Sequence, residues 1–213
     1  MIMLLPHTLL LFIIQVSYYT LQHYCYLRAN LVRIILGHGH LQVIMLDADL
    51  KFMDDIKKLY DRFRLFTKDN IIGIGRDLQP VYRHTFNKYR RENPNTRVGA
   101  PPPDGLTGFN SGVLMLDLEK MRNSKLYNVL LSGEKLESLT EEFYFKGHLG
   151  DQDFFTLLSM KYEWLFHVLP CTWNRQLCTW WKGHGYEQVF DEYFTCEGDV
   201  KIYHGNCGTP IPD

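Results

Sequence analysis

The feature that most constrains this chain is a short apolar run, Val43-Ile44-Met45-Leu46, that stops abruptly at Asp47-Ala48-Asp49. Consecutive apolar residues cut off by carboxylates are the pattern of a buried parallel strand at its carboxyl end. Ligands of open α/β sheets bind outside that edge. Two acids at alternate positions there can converge on one hard divalent cation. A bare D-x-D is a weak signal, and two solvated acids at a strand end would look the same; its place behind an apolar strand raises it.

Beyond Asp49 the chain keeps a strand-then-helix order. Phe52, Ile56, Leu59, Phe63 and Phe66 are separated by four, three, four and three positions, which predicts one apolar helical face lying on the sheet. Ile71 to Gly75 reads as a second strand. The polar, proline-rich stretch from Arg91 to Asp104 reads as a surface loop or lid. Val113 to Leu118 forms a third strand, followed by a helix through Tyr127 and Leu130. Leu136 to Phe145 and Phe154 to Met160 read as helices, and Leu165 to Leu169 as extended. The alternation predicts an α/β fold.

Composition removes several alternatives. With 46% hydrophobic residues the chain has enough apolar surface to build a core, so disorder is excluded. With 23 basic and 24 acidic side chains it lacks the positive field that holds a phosphate polymer, which argues against nucleic acid as a partner. Cys171, Cys178, Cys196 and Cys207 are separated by six, seventeen and ten residues. No C-x₂-C spacing is present, so two disulfides fit better than a metal site, and Cys25 is left as a free thiol. Disulfides imply an oxidising compartment. Ile2 to Tyr19 is mostly apolar, but no basic residue precedes Arg28, so residues 1–24 read as a core helix, an atypical start or a marginal anchor.

Three further segments bear candidate chemistry. Gly108-Phe109-Asn110-Ser111-Gly112 either caps a tight turn or lets the backbone approach a ligand, with Asn110 offering both a donor and an acceptor to sugar hydroxyls. In Gly147-His148-Leu149-Gly150-Asp151-Gln152-Asp153, Asp151 is a good N-cap, and Asp151 and Gln152 can also face a cleft. His204, in Tyr203-His204-Gly205-Asn206, can complete a cation site with the two acids, a mixed N/O set that suits Mn²⁺.

In that order and spacing, VIMLDADL, GFNSGVLMLDLE, GHLGDQDFF and KIYHGN resemble the retaining glycosyltransferases of family 8, which have the GT-A fold. QPVYRHTF and CTWNRQLCTWW extend the resemblance from about Gln42 to the C-terminus. It implies a Rossmann-like mixed sheet flanked by helices, with a disulfide-stapled C-terminal segment. It implies Asp47, Asp49 and His204 as ligands of a Mn²⁺ that bridges the UDP diphosphate, and Asn110 as a contact to the donor sugar. Asp151 would bind that sugar, with Gln152 beside its anomeric carbon. Trp173, Asn174, Arg175, Trp180 and Trp181 would line or support an acceptor groove, and the cysteines would pair as Cys171–Cys196 and Cys178–Cys207. The activity implied is α-1,3 transfer of xylose from UDP-xylose to the xylose of an O-glucose glycan on EGF-like repeats of Notch-type proteins. The setting implied is the lumenal side of the endoplasmic reticulum membrane, with possible membrane association through the N-terminus. In the family a nucleotide-binding half precedes the D-x-D, whereas here 46 residues precede Asp47. The expectation is therefore an atypical apolar segment over residues 1–40 and a partial catalytic domain over 41–213. The competing readings are an inactive chain that binds metal or acceptor only, and a metal-dependent hydrolase. The hydrolase is disfavoured because no carboxylate is placed as a base for water.

Overall fold

Val43 to Leu46 form a strand because each side chain has a core to enter. Val43 and Met45 pack on one face of the sheet with Ile72, Ile74, Leu114 and Leu116, beneath helices that contribute Tyr82, Phe86, Met121, Leu130 and Leu158. Ile44 and Leu46 pack on the other face with Leu59, Phe63, Val113, Met115, Trp173 and Ile202. The period-two alternation of a strand thus feeds two cores, which is why the sequence there is continuously apolar.

The computed structural model describes residues 2–4, 10–14 and 42–213. Among these the strands are β1 (Ile2–Leu4), β2 (Leu10–Ile14), β3 (Gln42–Asp47), β4 (Leu50–Phe52), β5 (Ile72–Arg76), β6 (Phe109–Asp117), β7 (Phe166–Leu169), β8 (Arg175–Gln176) and β9 (Ile202–His204). One sheet has the order β1-β2-β3-β6-β5-β7 and a smaller one the order β4-β9-β8. In the large sheet β2 runs parallel to β3 and β5 parallel to β7, while β6 runs antiparallel to both of its neighbours. The α/β expectation holds, and the sheet is mixed. The reversal of β6 brings its amino end to the same edge as the carboxyl ends of β3, β5 and β7.

Three local expectations are revised. The helix over 52–66 is broken: Phe52 ends β4, the α-helix covers only Ile56–Tyr60, and Asp61–Leu65 is a 3₁₀ turn. The pairing of Leu50–Phe52 with Ile202–His204 draws Phe52 out of the helical pattern. The strand expected from Val113 begins at Phe109, so Gly108–Gly112 is not a free turn. Its irregularity survives as a register shift, with Ile74 opposite Leu114 but Gly75 opposite Asn110; a bulge of this kind re-aims the side chains inside it. In place of the core helix or anchor considered for residues 1–24, residues 2–4 and 10–14 are strands. The rest of that stretch, with Cys25, lies outside the described residues. No helix among the described residues is long and apolar enough to cross a membrane. The stretch 91–104 is tied down, with Arg97 making two 3.1 Å bonds to Glu163 and Arg97 Nε donating to the Asp104 carbonyl at 2.6 Å.

All nine residues of β6 are buried. Leu114, 1% exposed at its centre, should therefore be costly to truncate: Leu114→Ala is expected to lower the unfolding free energy by about 2–5 kcal/mol in urea titration. A loss well under about 1 kcal/mol would mean that β6 is not the central strand.

Candidate active site

Asp47 is the last residue of β3, and Asp49 lies two residues on in the bend before β4. His204 is the last residue of β9, directly opposite Leu50. The backbone reinforces this: Gly205 N–H donates to the Asp49 carbonyl at 2.9 Å, and Leu177 N–H donates to the His204 carbonyl at 3.1 Å. The small sheet thus carries a distant part of the chain to the tip of β3. His204 Nε2 stands 3.8 Å from Asp47 Oδ2 and 3.4 Å from Asp49 Oδ1. One ligand atom from each of the three residues lies within 4.8 Å of the others. Such a set of two carboxylates and one imidazole, with Asp49 exposed, Asp47 half-buried and the imidazole buried, fits a divalent cation of intermediate hardness.

Behind His204 lies a buried amide pair. Asn110 Oδ1 accepts from Gly112 N–H at 3.1 Å and from Asn174 Nδ2 at 2.8 Å, and Asn174 Oδ1 sits 3.0 Å from His204 Nδ1. Gly112 has to be glycine, because a Cβ there would come within 2.3 Å of His204 Cε1. Asn110 turns its oxygen inward in this arrangement and is itself buried.

The glycine-flanked segment 147–153 leads into the helix Asp151–Ser159. Gly150, with φ of 70°, occupies the cap position, so Asp151 is the first helical residue and not the N-cap. Asp151 Oδ1 accepts from the Ser111 hydroxyl at 3.4 Å, and Gln152 Oε1 accepts from Ser111 N–H at 3.3 Å. The Asp151–Gln152 pair is therefore docked on the residue between Asn110 and Gly112, next to the Asp47–Asp49–His204 cluster.

Sequence reasoning missed what stands behind Gln152. Its Nε2 donates to Asp77 Oδ2 at 3.2 Å. Asp77 is buried just past the end of β5, and its other oxygen accepts from Gln79 N–H at 2.8 Å. Burial pushes the Asp77 carboxyl up to about 7, the Gln79 bond opposes this, and the charge of Asp153 adds to it. Asp153 accepts from the Tyr82 hydroxyl at 2.9 Å and from Leu149 N–H at 2.6 Å, which fixes the Gly147–Gly150 turn. Burial raises its carboxyl as well. One signal was available: Asp77 follows an apolar strand as Asp47 does.

Of the five residues expected at an acceptor groove, Trp173 and Asn174 are buried, Trp173 in the core beneath the sheet and Asn174 against His204. Buried there, they can support a groove but do not line one. Arg175 donates to the Phe194 carbonyl at 2.7 Å and lies over the Phe194 ring. Trp180 and Trp181 meet edge to face, with Trp180 about half exposed and stacked on His184. Disulfides join Cys171 to Cys196 and Cys178 to Cys207. The second ties the chain just past β8 to the chain just past β9, the strand that ends in His204.

The chain matches the model of glycosyl transferase family 8 over residues 14–204 and belongs to that family. Among curated proteins it is 61% identical over 173 residues to human xyloside xylosyltransferase 1, covering 81% of this chain and 44% of the relative, and 59% identical to the mouse protein of that name. The chain thus spans less than half the length of these relatives. Among solved structures it resembles the apo form of mouse xyloside xylosyltransferase 1 with a TM-score of 0.86 and 55% identity, over 89% of this chain and 65% of the other. A galactosyltransferase, LgtC, solved with donor and acceptor sugar analogues, shares the fold at a TM-score of 0.51 and 22% identity, over 84% of this chain and 56% of the other.

The buried Asp77 yields a pH signature. Its ordinary value is 3.8, so between about pH 4 and 7 the folded chain holds a proton that the unfolded chain has released. The stability tied to that proton is lost as pH rises through this window. Asp77→Asn is expected to gain stability relative to the unsubstituted chain between about pH 4 and 7, by up to about 4 kcal/mol, in chemical unfolding at each pH. A difference that stays flat across the window would show that Asp77 does not titrate there.

Proposed function

We propose that the chain is a retaining xylosyltransferase that takes UDP-xylose as donor and the xylose of an O-glucose glycan on an EGF-like repeat of a Notch-type protein as acceptor, forming an α-1,3 bond. The observation that carries this reading is the meeting of Asp47, Asp49 and His204 beside the docked Asp151–Gln152 pair. Asp47, Asp49 and His204 would hold Mn²⁺. When bound, that cation would stabilise the negative charge that builds on the diphosphate as the sugar's C1–O bond breaks. The donor and acceptor sugars are proposed from the names of the xyloside xylosyltransferase relatives and from the family motifs. A lumenal location in the endoplasmic reticulum accords with the two disulfides.

Within this reading Asp151 binds a hydroxyl of the donor sugar and Gln152 stands near its anomeric carbon. Gln152 is anchored through both of its amide atoms, which suits a group that orients rather than reacts. An amide is a poor nucleophile, and Asp77 lies buried behind it with both oxygens engaged. Retention is then best explained by attack on the same face from which UDP departs, with the leaving phosphate oxygen taking the acceptor proton. Trp180 and Trp181 offer flat apolar surface on which an acceptor sugar can stack.

Two measurements test the reading. Calorimetric titration of UDP is expected to show binding with Mn²⁺ and little with chelator, and Asp49→Asn is expected to remove the metal-dependent part. UDP affinity unchanged in that variant would refute the ligand assignment. Gln152→Ala is expected to slow xylose transfer by about 10²-fold or more while changing donor affinity much less; equal losses in both would make Gln152 a binding residue only.

A further inference from the structure

The hydrogen-bond chain behind His204 has only one self-consistent assignment. Gly112 N–H can only donate, so the Asn110 atom 3.1 Å away is the amide oxygen. The Asn174 atom 2.8 Å from that oxygen must then be its NH₂ group. This leaves the carbonyl oxygen of Asn174 facing His204 Nδ1 at 3.0 Å. A carbonyl oxygen only accepts, so Nδ1 carries the hydrogen. A neutral imidazole has one N–H, and Nε2 is left with its lone pair toward Asp47 and Asp49. The opposite tautomer would set two acceptors against each other at 3.0 Å between residues 1% and 3% exposed, where water cannot relieve them. The 3.4 Å separation between Nε2 and Asp49 would be a poor return for that opposition.

We propose that Asn174, itself fixed by Asn110 and the Gly112 amide, is a positioning residue that locks His204 in the Nδ1–H tautomer and so presents Nε2 as a ligand atom for a divalent cation. Its bearing on metal affinity rests on the cation-site reading above; the tautomer does not. Asn174 is buried behind the His204 ring and acts through the ring it orients, as outer partners of metal-bound histidines do. The glycine at position 112 closes the other side, since its missing Cβ leaves room for the ring edge.

The test is nitrogen NMR of the metal-free chain with ¹⁵N-labelled histidine at about pH 8.5, where an ordinary imidazole is neutral. His204→Gln identifies the His204 signals among the nine histidines. The unsubstituted chain is expected to show a protonated Nδ1 and an unprotonated Nε2 at His204. Asn174→Leu is expected to average the two nitrogens and to weaken Mn²⁺ binding, read by calorimetry in the presence of UDP, by about 10–100-fold. The proposal is overturned if the unsubstituted chain carries its hydrogen on Nε2, or if Asn174→Leu changes neither the tautomer nor the affinity. Should Asn174→Leu fail to fold, the unsubstituted spectrum decides by itself. An Nδ1–H tautomer in a chain that binds no Mn²⁺ would uphold the relay and bring down the cation-site reading instead.

Discussion

The antiparallel pairing of β6 with β3 and β5 is the constraint on which the rest depends. Had β6 run parallel to its neighbours, the bulged, glycine-bounded segment 109–112 would sit at the far edge of the sheet from Asp47. Reversed, it reaches the site first and then runs down the core. Its Asn110 then reaches His204 through Asn174, its Gly112 lies against the His204 ring, and its Ser111 meets Asp151 and Gln152. One strand therefore supplies the burial that holds the sheet together and the polar groups that order the site.

Much of this is legible in the sequence, for reasons that differ by element. β3 and β5 stand out because residues buried on both faces are continuously apolar, which is a strong signal even over five residues. The helical pattern over 52–66 misleads because its first residue, Phe52, pairs with Ile202 in a distant strand, and periodicity carries no record of such a partner. The start of β6 is hidden by its glycines, which mark turns and bulges alike. Asp47, Asp49 and His204 are each visible as residue types, but their approach depends on a three-stranded sheet assembled from short pieces that no local pattern predicts.

The polar residues behind the site are harder still. The family resemblance implies a place for Asn174 at the acceptor groove; in the fold it points inward, between Asn110 and His204. Asp77 carries no motif of its own, although burial makes it one of the most perturbed acids in the described chain. Both follow from a general asymmetry: exposed ligands announce themselves by residue type, whereas the groups that aim them are ordinary polar residues distinguished only by where they are buried.

The Cys178–Cys207 disulfide closes a loop that contains β9 and its terminal imidazole. Such a bond works chiefly by limiting the freedom of the unfolded chain. The small sheet it secures is short, with only two or three residues in each strand. Cleaving that bond would widen the freedom of the unfolded chain and so weaken the small sheet that carries His204, while leaving the Asp47, Asp49 and His204 side chains chemically intact. On the proposed reading, the affinity for a cation would therefore depend on the thiol chemistry of the surroundings as well as on the three ligands.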